Sequence, residues 1–287
     1  MSVANAVSAD AIAAIVVSHR SAATLDDCLA RLRAATDVAE IRVVDNASDD
    51  DSLEIAQRHA LADPRLRFIA NPDNPGFAVA CNQGAADSSA PWLAFVNPDC
   101  LVEVDSLSRM RAHAAGFTAA LVGADLVDED GVRDAAARRR DPVFAAMLRD
   151  PSRASLGIKV DPATPLQSVD AVSGALMLLP RMLFQRIEGF DEAYRLHVED
   201  LDLCRRVRDA GGSVAVANDV RVVHVRGVSS RSRPLFVEWH KHRGFCRYYR
   251  KFEGRRRSAL LSMLVHAAIW CRFPVAALGA LGSRPRR

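Results

Sequence analysis

The chain of 287 residues carries 38 Lys and Arg against 35 Asp and Glu, a net charge of +3, with 49% hydrophobic and 25% charged residues. These ordinary globular values exclude a disordered or collagen-like protein and fit one large α/β domain with appendages. The six cysteines form no CxxC pair, which argues against a disulfide scaffold or a structural zinc site.

The first hundred residues alternate short apolar runs with helical patterns. The predicted strands cover residues 12–17, 41–45, 66–69 and 92–96, and the predicted helices begin at Thr24, follow the acidic run 49–51 and cover 77–86. This alternation predicts an α/β fold with a mostly parallel, doubly wound sheet. Ligands of such sheets bind at the carboxyl ends of the strands, so the polar groups after Val17, Val44 and Val96 should converge on one edge.

The pattern is looser in the second half. We predict a helix over 106–115, a turn at Asp130, and an arginine-rich irregular stretch to about residue 161 that faces an acceptor. An apolar run over 169–179 precedes a helix that is entered at Glu199 and stops at Gly211, a typical C-terminal glycine. Two short strands, 214–217 and 220–223, should then lead to His224.

The first glycine is Gly76, so no glycine-rich phosphate loop follows the first strand. This argues against dinucleotide dehydrogenases, P-loop kinases and sugar nucleotidylyltransferases. A nucleotide would then need side chains for its base and a cation for its diphosphate. Asp45 could contact a base or cap a helix, and Asp99 could bind Mg²⁺ or Mn²⁺ or form an Asx-type turn.

Eight segments in order, over residues 11–230, resemble the inverting family-2 glycosyltransferases of the GT-A fold, especially the bacterial rhamnosyltransferase-like members. The segments are IVVSH at 15–19, VVDNAS at 43–48, NPGFA at 74–78 with Asn82 and Gly84, FVNPD at 95–99, SGALM at 173–177, GFDE at 189–192, EDLDLCR at 199–205, and His224 with Gly227 and Ser229.

The resemblance implies a role for each matching residue. Asp200 would be the catalytic base, supported by Glu199, while Asp99 and His224 would hold a divalent metal, Mg²⁺ or Mn²⁺. The chain has His19-Arg20 where members usually have Tyr-Asn, and Asp51 where they commonly have Gly, which leaves the nucleotide open. The implied nucleotide-sugar-binding residues are Ser18, His19, Asp45, Asn46, Asn74, Gly76, Asn82, Asn97, Ser173 and Gly174.

The implied reaction moves a hexose or deoxyhexose, such as rhamnose, from a nucleoside-diphosphate sugar to a glycan or lipid-linked acceptor. The alternative is a non-catalytic nucleotide-sugar-binding or scaffold protein of the same fold. Asp202 and Arg205 lie one helical turn apart and could pair. His240, His242 and Cys246 indicate a helical surface rather than a zinc site. Nucleic-acid binding would rest on arginine clusters alone, without an aromatic platform.

The sequence predicts three regions in the chain. We predict an N-terminal tail over 1–10, a catalytic domain over 11–232 (a nucleotide-sugar half to 100, an acceptor and catalytic half beyond), and a helical, basic, apolar membrane-docking region over 233–287. The apolar stretch 259–281 contains Arg272 and Pro274, so it could dock on a membrane, form a buried helix pair or span. Arginines at 138–140, 255–257, 284, 286 and 287 favour phosphates or an anionic membrane surface. Without a signal peptide pattern, we expect a cytoplasmic location at the inner membrane face.

Overall fold

The computed structural model describes residues 8–225 and 234–282. Gly227 and Ser229 of the last family segment lie outside the described residues, as do residues 1–7 and the final arginines Arg284, Arg286 and Arg287.

The first half of the sheet is parallel, as predicted. The strands pair in the order β3-β2-β1-β4. Alternate residues of β1 enter two apolar clusters, one on each face of the sheet, because successive side chains of a strand point to opposite faces. The elements are β1 (Ile12–Ser18), α1 (Ala22–Ala34), β2 (Val38–Asn46), α2 (Ser52–Ala62), β3 (Leu66–Asn71), α3 (Phe77–Ala86) and β4 (Trp92–Val96).

The second half makes the sheet mixed. The order continues β10-β6-β11-β5, and β10 runs antiparallel to both β4 and β6, while β11 is parallel to β6. A separate two-stranded sheet joins β7 and β9. The elements are β5 (Cys100–Leu101), α4 (Ser106–Ala115), β6 (Ala120–Val127), β7 (Arg138–Arg139), α5 (Phe144–Arg149), β8 (Leu166–Ser168), β9 (Ala171–Val172), β10 (Leu176–Pro180), α6 (Arg181–Arg186), α7 (Glu199–Asp209) and β11 (Ser213–His224).

Three details differ from the sequence interpretation. Ala120–Val127 is a fully buried strand that the sequence interpretation left unassigned. The two strands expected before His224 form one strand, with a register shift between Ala217 and Arg221. Asp202 pairs with Arg206 at 2.5 Å rather than with Arg205, whose guanidinium instead contacts Asp141 and Asp209.

The C-terminal region contains α8 (Pro234–Phe252), α9 (Ala259–Cys271) and α10 (Phe273–Gly282). Tyr248 and Tyr249 of α8 are buried in the same core as α7. Lys251 lies 2.7 Å from the buried carboxylate of Asp202, so an ion pair also ties α8 to α7. The residues of the suspected zinc spacing, His240, His242 and Cys246, lie on α8 as expected.

Candidate functional site

The carboxyl ends of β1 and β2 begin the site. Ser18 and Asp45 are neighbours in the strand register, and both are buried. The Oγ of Ser18 has no hydrogen-bond partner within 8–225 and 234–282. Asp45 accepts hydrogen bonds from the N–H of Ser48 at 2.9 Å and from its hydroxyl at 2.6 Å. Asp45 therefore fixes the turn that follows β2.

The two loops that follow these strands are joined to each other. The Nδ1 atom of His19 lies 2.8 Å from the carbonyl oxygen of Asn46, and the N–H of Arg20 donates to Ser48 Oγ at 2.9 Å. The Asn46 amide donates to the carbonyl of Gly76 at 3.3 Å. These contacts bring together the predicted donor-binding loops around His19, Asn46 and Gly76.

Gly76 occupies a position that no other residue type fits well. Its φ angle is +109°, and a Cβ atom added there would lie 2.7 Å from the carbonyl oxygen of Arg195. The N–H of Gly76 is held by Asn74 Oδ1 at 3.0 Å, and Arg195 donates to the Asn74 carbonyl at 2.7 Å. The glycine is thus required by a close approach between two loops.

The side chain of Asn82 contacts the GFDE loop. Its amide donates to the carbonyl of Phe190 at 3.0 Å and to Glu192 at 2.9 Å, and its Oδ1 accepts from the N–H of Phe190 at 2.9 Å. Both amide hydrogens are therefore used to hold the GFDE loop. The remaining lone pair of Asn82 Oδ1 is the position left for a donor contact.

Asp99 and His224 meet at the end of the sheet. The Asp99 Oδ1 and His224 Nε2 atoms are 3.3 Å apart, because β5 and β11 pair antiparallel with Cys100 opposite His224. The N–H of Val225 also donates to the Asp99 carbonyl at 2.8 Å. Asp99, Cys100 and His224 have their donor atoms within 4.8 Å of one another.

This donor set fits a divalent cation held by Asp99 and His224. Asp99 Oδ1 is buried and makes no hydrogen bond within the described parts of the chain. Burial raises the pKa of the Cys100 thiol, and its Sγ donates to the Ala175 carbonyl at 3.3 Å. A carboxylate and an imidazole are donors that suit Mn²⁺, and the carboxylate also suits Mg²⁺.

His224 stands between two carboxylates. Its Nδ1 lies 3.7 Å from Asp134 Oδ2, on the side opposite Asp99. Burial disfavours the charged imidazolium, but the carboxylates of Asp134 and Asp99 outweigh it and raise the pKa of His224 to about 9 in the absence of metal. A cation would take the place of that positive charge.

The Ser173-Gly174 turn holds Asp200. The N–H of Gly174 donates to Asp200 Oδ2 at 3.0 Å, and the N–H of Leu201 donates to Oδ1 at 2.8 Å. Ser173 Oγ accepts from the N–H of Ala175 at 3.3 Å. The carbonyl of Ala175 in turn accepts from the N–H of Asn97 at 2.8 Å, which links this turn to the segment that carries Asp99.

Glu199 and Asp200 are adjacent carboxyl groups with opposite pKa shifts. Burial and the neighbouring Asp200 raise the pKa of Glu199 to about 8. Burial would also raise the pKa of Asp200, but the Arg139 guanidinium and the two backbone N–H groups lower it below its ordinary value. At neutral pH one carboxyl is protonated and the other ionised, which is the arrangement expected of a functional pair.

Two residues of this site were missed in the sequence. Arg139 pairs with Asp200, and Asp134 faces His224. Arg138 is buried against Asp125, so of the basic run 138–140 only Arg140 is exposed, and the expectation of a phosphate or membrane cluster there is wrong. The run itself gave no signal of which arginine meets a carboxylate.

The loop before α7 carries backbone strain next to these carboxyl groups. His197 and Val198 both have positive φ angles, +63° and +74°. Left-handed backbone at a β-branched residue costs free energy and concentrates at functional sites.

Comparison with known proteins agrees with the family resemblance of the sequence segments. A model described as "Glycosyl transferase family 2" matches residues 13–187, which is more than half of the chain. The N-acetylglucosaminyl-diphospho-decaprenol L-rhamnosyltransferase of Mycobacterium tuberculosis is 25% identical over 253 residues, 78% of this chain and 79% of that protein. Glycosyltransferase AglE of Haloferax volcanii is 24% identical, over 74% of this chain and 66% of its own.

Solved structures agree on the fold. The mannosyltransferase PcManGT from Pyrobaculum calidifontis, in complex with GDP-Man and Mn²⁺, superposes with a TM-score of 0.61 at 19% identity, covering 95% of this chain and 74% of that one. GalNAc-T7 with UDP, GalNAc and Mn²⁺ gives a TM-score of 0.60 at 16% identity, covering 96% and 57%.

Proposed function

The chain belongs to glycosyl transferase family 2 and has the GT-A fold, and from this premise we propose that it transfers a hexose or deoxyhexose from a nucleoside-diphosphate sugar with inversion at the anomeric carbon. The observation that carries the proposal is the pairing of Asp99 with His224 on the same sheet edge as the Asp200 carboxylate. A cation site and a base would then serve one reaction.

Asp200 is the proposed base. Its carboxylate takes the proton of the acceptor hydroxyl while the acceptor oxygen bonds to the anomeric carbon. The bond from that carbon to the diphosphate oxygen breaks on the opposite face, and the nucleoside diphosphate leaves with the bonding electrons. Glu199, protonated at neutral pH, supports the site without adding a second negative charge beside Asp200.

Asp99 and His224 are the proposed metal ligands, with Mg²⁺ or Mn²⁺ as the cation. When bound, such a cation stabilises the negative charge that develops on a departing diphosphate. The alternative of a non-catalytic scaffold would keep Asp99 and His224 only as a buried ion pair, so metal-dependent transfer by the wild-type protein separates the two functions.

The donor binds, in this proposal, where the loops after β1, β2 and β3 meet. Asp45 is nearly fully buried, and its carboxylate already accepts two hydrogen bonds from Ser48. A contact of Asp45 with a base would therefore use the remaining lone pairs of the carboxylate. The other proposed donor-side residues are Ser18, His19, Asn46, Asn74, Gly76, Asn82, Asn97, Ser173 and Gly174.

The acceptor is proposed to be a glycan or a lipid-linked saccharide, and the sugar rhamnose. The support is the similarity to the rhamnosyltransferase of Mycobacterium tuberculosis, whose name specifies a diphospho-decaprenol acceptor. With a lipid-linked acceptor, the apolar C-terminal helices would have a function, namely contact with the membrane that holds the acceptor.

Peripheral contact with the inner face of a membrane is part of the proposal. Ala259–Leu281 has the length and a mean hydropathy of 1.6 that would allow a crossing, but the structure breaks it into α9 and α10 at Arg272. Val265 and Ile269 pack into the core, whereas the opposite side is exposed at Leu260, Met263 and Leu264. Exposed arginines at 255–257 flank this surface. An exposed apolar helix face with a basic flank suits the interface of an anionic bilayer.

A donor panel tests the proposed function. Thermal unfolding is measured with nucleoside diphosphates and nucleotide sugars, with and without Mn²⁺, because a selective ligand stabilises the folded state. Product formation is then followed by mass spectrometry with a lipid-linked saccharide and with a short soluble analogue. We expect one nucleotide to stabilise the protein only with metal and its sugar to be transferred. Stabilisation without transfer by the wild-type protein to either acceptor would favour the scaffold alternative.

A further inference from the structure

Arg139 holds the carboxylate of Asp200 from the side of the two-stranded sheet. Its Nη2 lies 2.5 Å from Asp200 Oδ2 and also donates to the carbonyl of Val172. The strand that carries it, β7, pairs with β9 so that Arg139 is opposite Ala171. Three separate parts of the chain, β7, β9 and the start of α7, therefore fix one ion pair.

The hydrogen bonds of Asp200 leave one position open. A carboxylate offers about four lone-pair positions, two on each oxygen. Arg139 and the N–H of Gly174 occupy both positions of Oδ2, and the N–H of Leu201 occupies one position of Oδ1. The remaining lone pair is on Oδ1.

We propose that Arg139 is a positioning residue that clamps Asp200 through Oδ2, so that Oδ1 is the atom that receives the acceptor proton. The inference rests on the proposed function, in which Asp200 is the base. The O–H bond of the acceptor breaks, its proton binds Oδ1, and the acceptor oxygen keeps the electron pair with which it attacks the anomeric carbon. Arg139 itself touches neither substrate.

The charges around the pair agree with this role. The titratable groups that face Asp200, besides Arg139, are Glu199 and Cys204 on its own helix and His197 in the preceding loop. Burial raises the pKa of Cys204 to about 12, so this thiol is neutral at pH 7. Arg139 is thus the cation that keeps Asp200 ionised in this set.

Of the two neighbouring arginines, Arg140 supplies a matched control. Arg140, the next residue, is exposed, and its N–H donates to the Leu156 carbonyl through the main chain alone. Arg138 pairs with Asp125, where both side chains are almost fully buried away from Asp200. A substitution of Arg140 therefore changes the local charge equally without touching the clamp.

The test compares Arg139→Gln, Arg139→Lys, Arg140→Gln and Asp200→Asn. We expect Arg139→Gln to lower kcat by about 10- to 100-fold with the donor KM within about twofold of wild type. The acid limb of kcat against pH should move to higher pH, because loss of the cation raises the pKa of Asp200. Arg139→Lys should regain part of kcat and restore the limb toward wild type, and Arg140→Gln should match wild type.

A double-mutant cycle separates the clamp from general stability. If Arg139 acts through Asp200, adding Arg139→Gln to Asp200→Asn lowers kcat no further. An equal loss in both backgrounds would overturn the proposal. So would a wild-type kcat in Arg139→Gln. If Arg139→Gln does not fold, Arg139→Lys decides, because lysine keeps the charge but lacks the planar guanidinium that places Nη2 between the two acceptors. Wild-type kcat at every pH in that variant would also overturn the clamp.

A second readout needs no turnover. The ¹³C carboxyl resonance of Asp200, assigned by its absence in Asp200→Asn, is titrated in the wild type and in the Arg139 variant that folds. The clamp requires a higher titration midpoint without Arg139, and an unchanged midpoint contradicts it. If the titration midpoint is higher in the Arg139 variant but the wild-type protein transfers no sugar, the proposed function is refuted and the ion-pair clamp is not.

Discussion

Asp99 Oδ1 and His224 Nε2 lie 3.3 Å apart, although Asp99 follows β4 and His224 ends β11, the last strand of the sheet in the sequence. The antiparallel pairing of β5 with β11 creates this contact, and neither residue has a local sequence neighbour that would do so. Several expected outcomes follow from this pair and from its surroundings.

Removal of either proposed metal ligand should abolish the effect of the metal on donor binding. Loss of a residue that merely supports a ligand typically costs 10- to 100-fold in metal affinity, so Asp99→Ala and His224→Ala should each cost at least about 100-fold. Cys100→Ser is the control and should bind Mn²⁺ like the wild type. Calorimetry with Mn²⁺ and nucleotide measures the three variants, and a defect in Cys100→Ser would add the cysteine to the ligands.

Asp200→Asn should lower turnover by at least about 100-fold while donor affinity changes little, because the amide cannot take the acceptor proton. Asp209→Asn, at the exposed end of the same helix, is the matched control and should leave kcat unaltered. Steady-state kinetics on both variants decide the matter. Near-normal turnover in Asp200→Asn would remove it from the base role.

Glu199 should make stability depend on pH. Its pKa rises from 4.5 to about 8 on folding through burial and the charge of Asp200. Since the folded chain binds this proton more tightly, its free energy of unfolding should fall as pH rises through that window and level off above it. Glu199→Gln, a mimic of the protonated form, should not lose this part of its stability. Urea unfolding of both proteins between pH 5 and pH 8.5, roughly the window of the shift, measures the difference. Parallel curves would mean that Glu199 is ionised in the folded protein.

Gly76→Ala should be more harmful than Gly131→Ala. Both glycines have positive φ angles, but a Cβ at Gly131 would meet no atom within 4 Å, whereas one at Gly76 would lie 2.7 Å from the Arg195 carbonyl. Backbone strain costs roughly 1–3 kcal/mol at each position. Only Gly76→Ala adds the steric clash, so it should also weaken donor binding. Equal losses of melting temperature would show that the two loops can separate.

Exposed leucines of α9 should contribute to membrane binding. Leu260→Gln with Leu264→Gln should reduce binding to phosphatidylglycerol vesicles at least about tenfold, since burying one leucine contributes roughly 1.5–3 kcal/mol. Leu61→Gln, on the exposed face of α2, is the control. Transfer to a soluble acceptor should be retained in the double variant and in the control. Truncation before Ser258 is a poorer test, because Val265 and Ile269 belong to the core. Unchanged flotation of the double variant would end the docking proposal.

The segments whose signal is local were predicted well. The bounds of α3, β4 and α4 agree with the sequence interpretation, because apolar spacing and breaking residues lie within each segment. The converging ends of β1, β2 and β4 followed from their alternation with helices, since parallel strands present their carboxyl ends at one edge. The family resemblance added the roles proposed for Asp99, Asp200 and His224.

Tertiary structure decided the rest. Ala120–Val127 was missed because a strand buried on both faces has no alternation to distinguish it. The contact of the Asn82 amide with Phe190 was not predicted, and neither were the ion pairs of Arg138 with Asp125 and of Arg139 with Asp200. Each of these contacts joins residues far apart in the chain. Spacing along the sequence constrains only what one helix or strand can bring together, whereas the partner of a buried charge is fixed by how separate strands and loops pack.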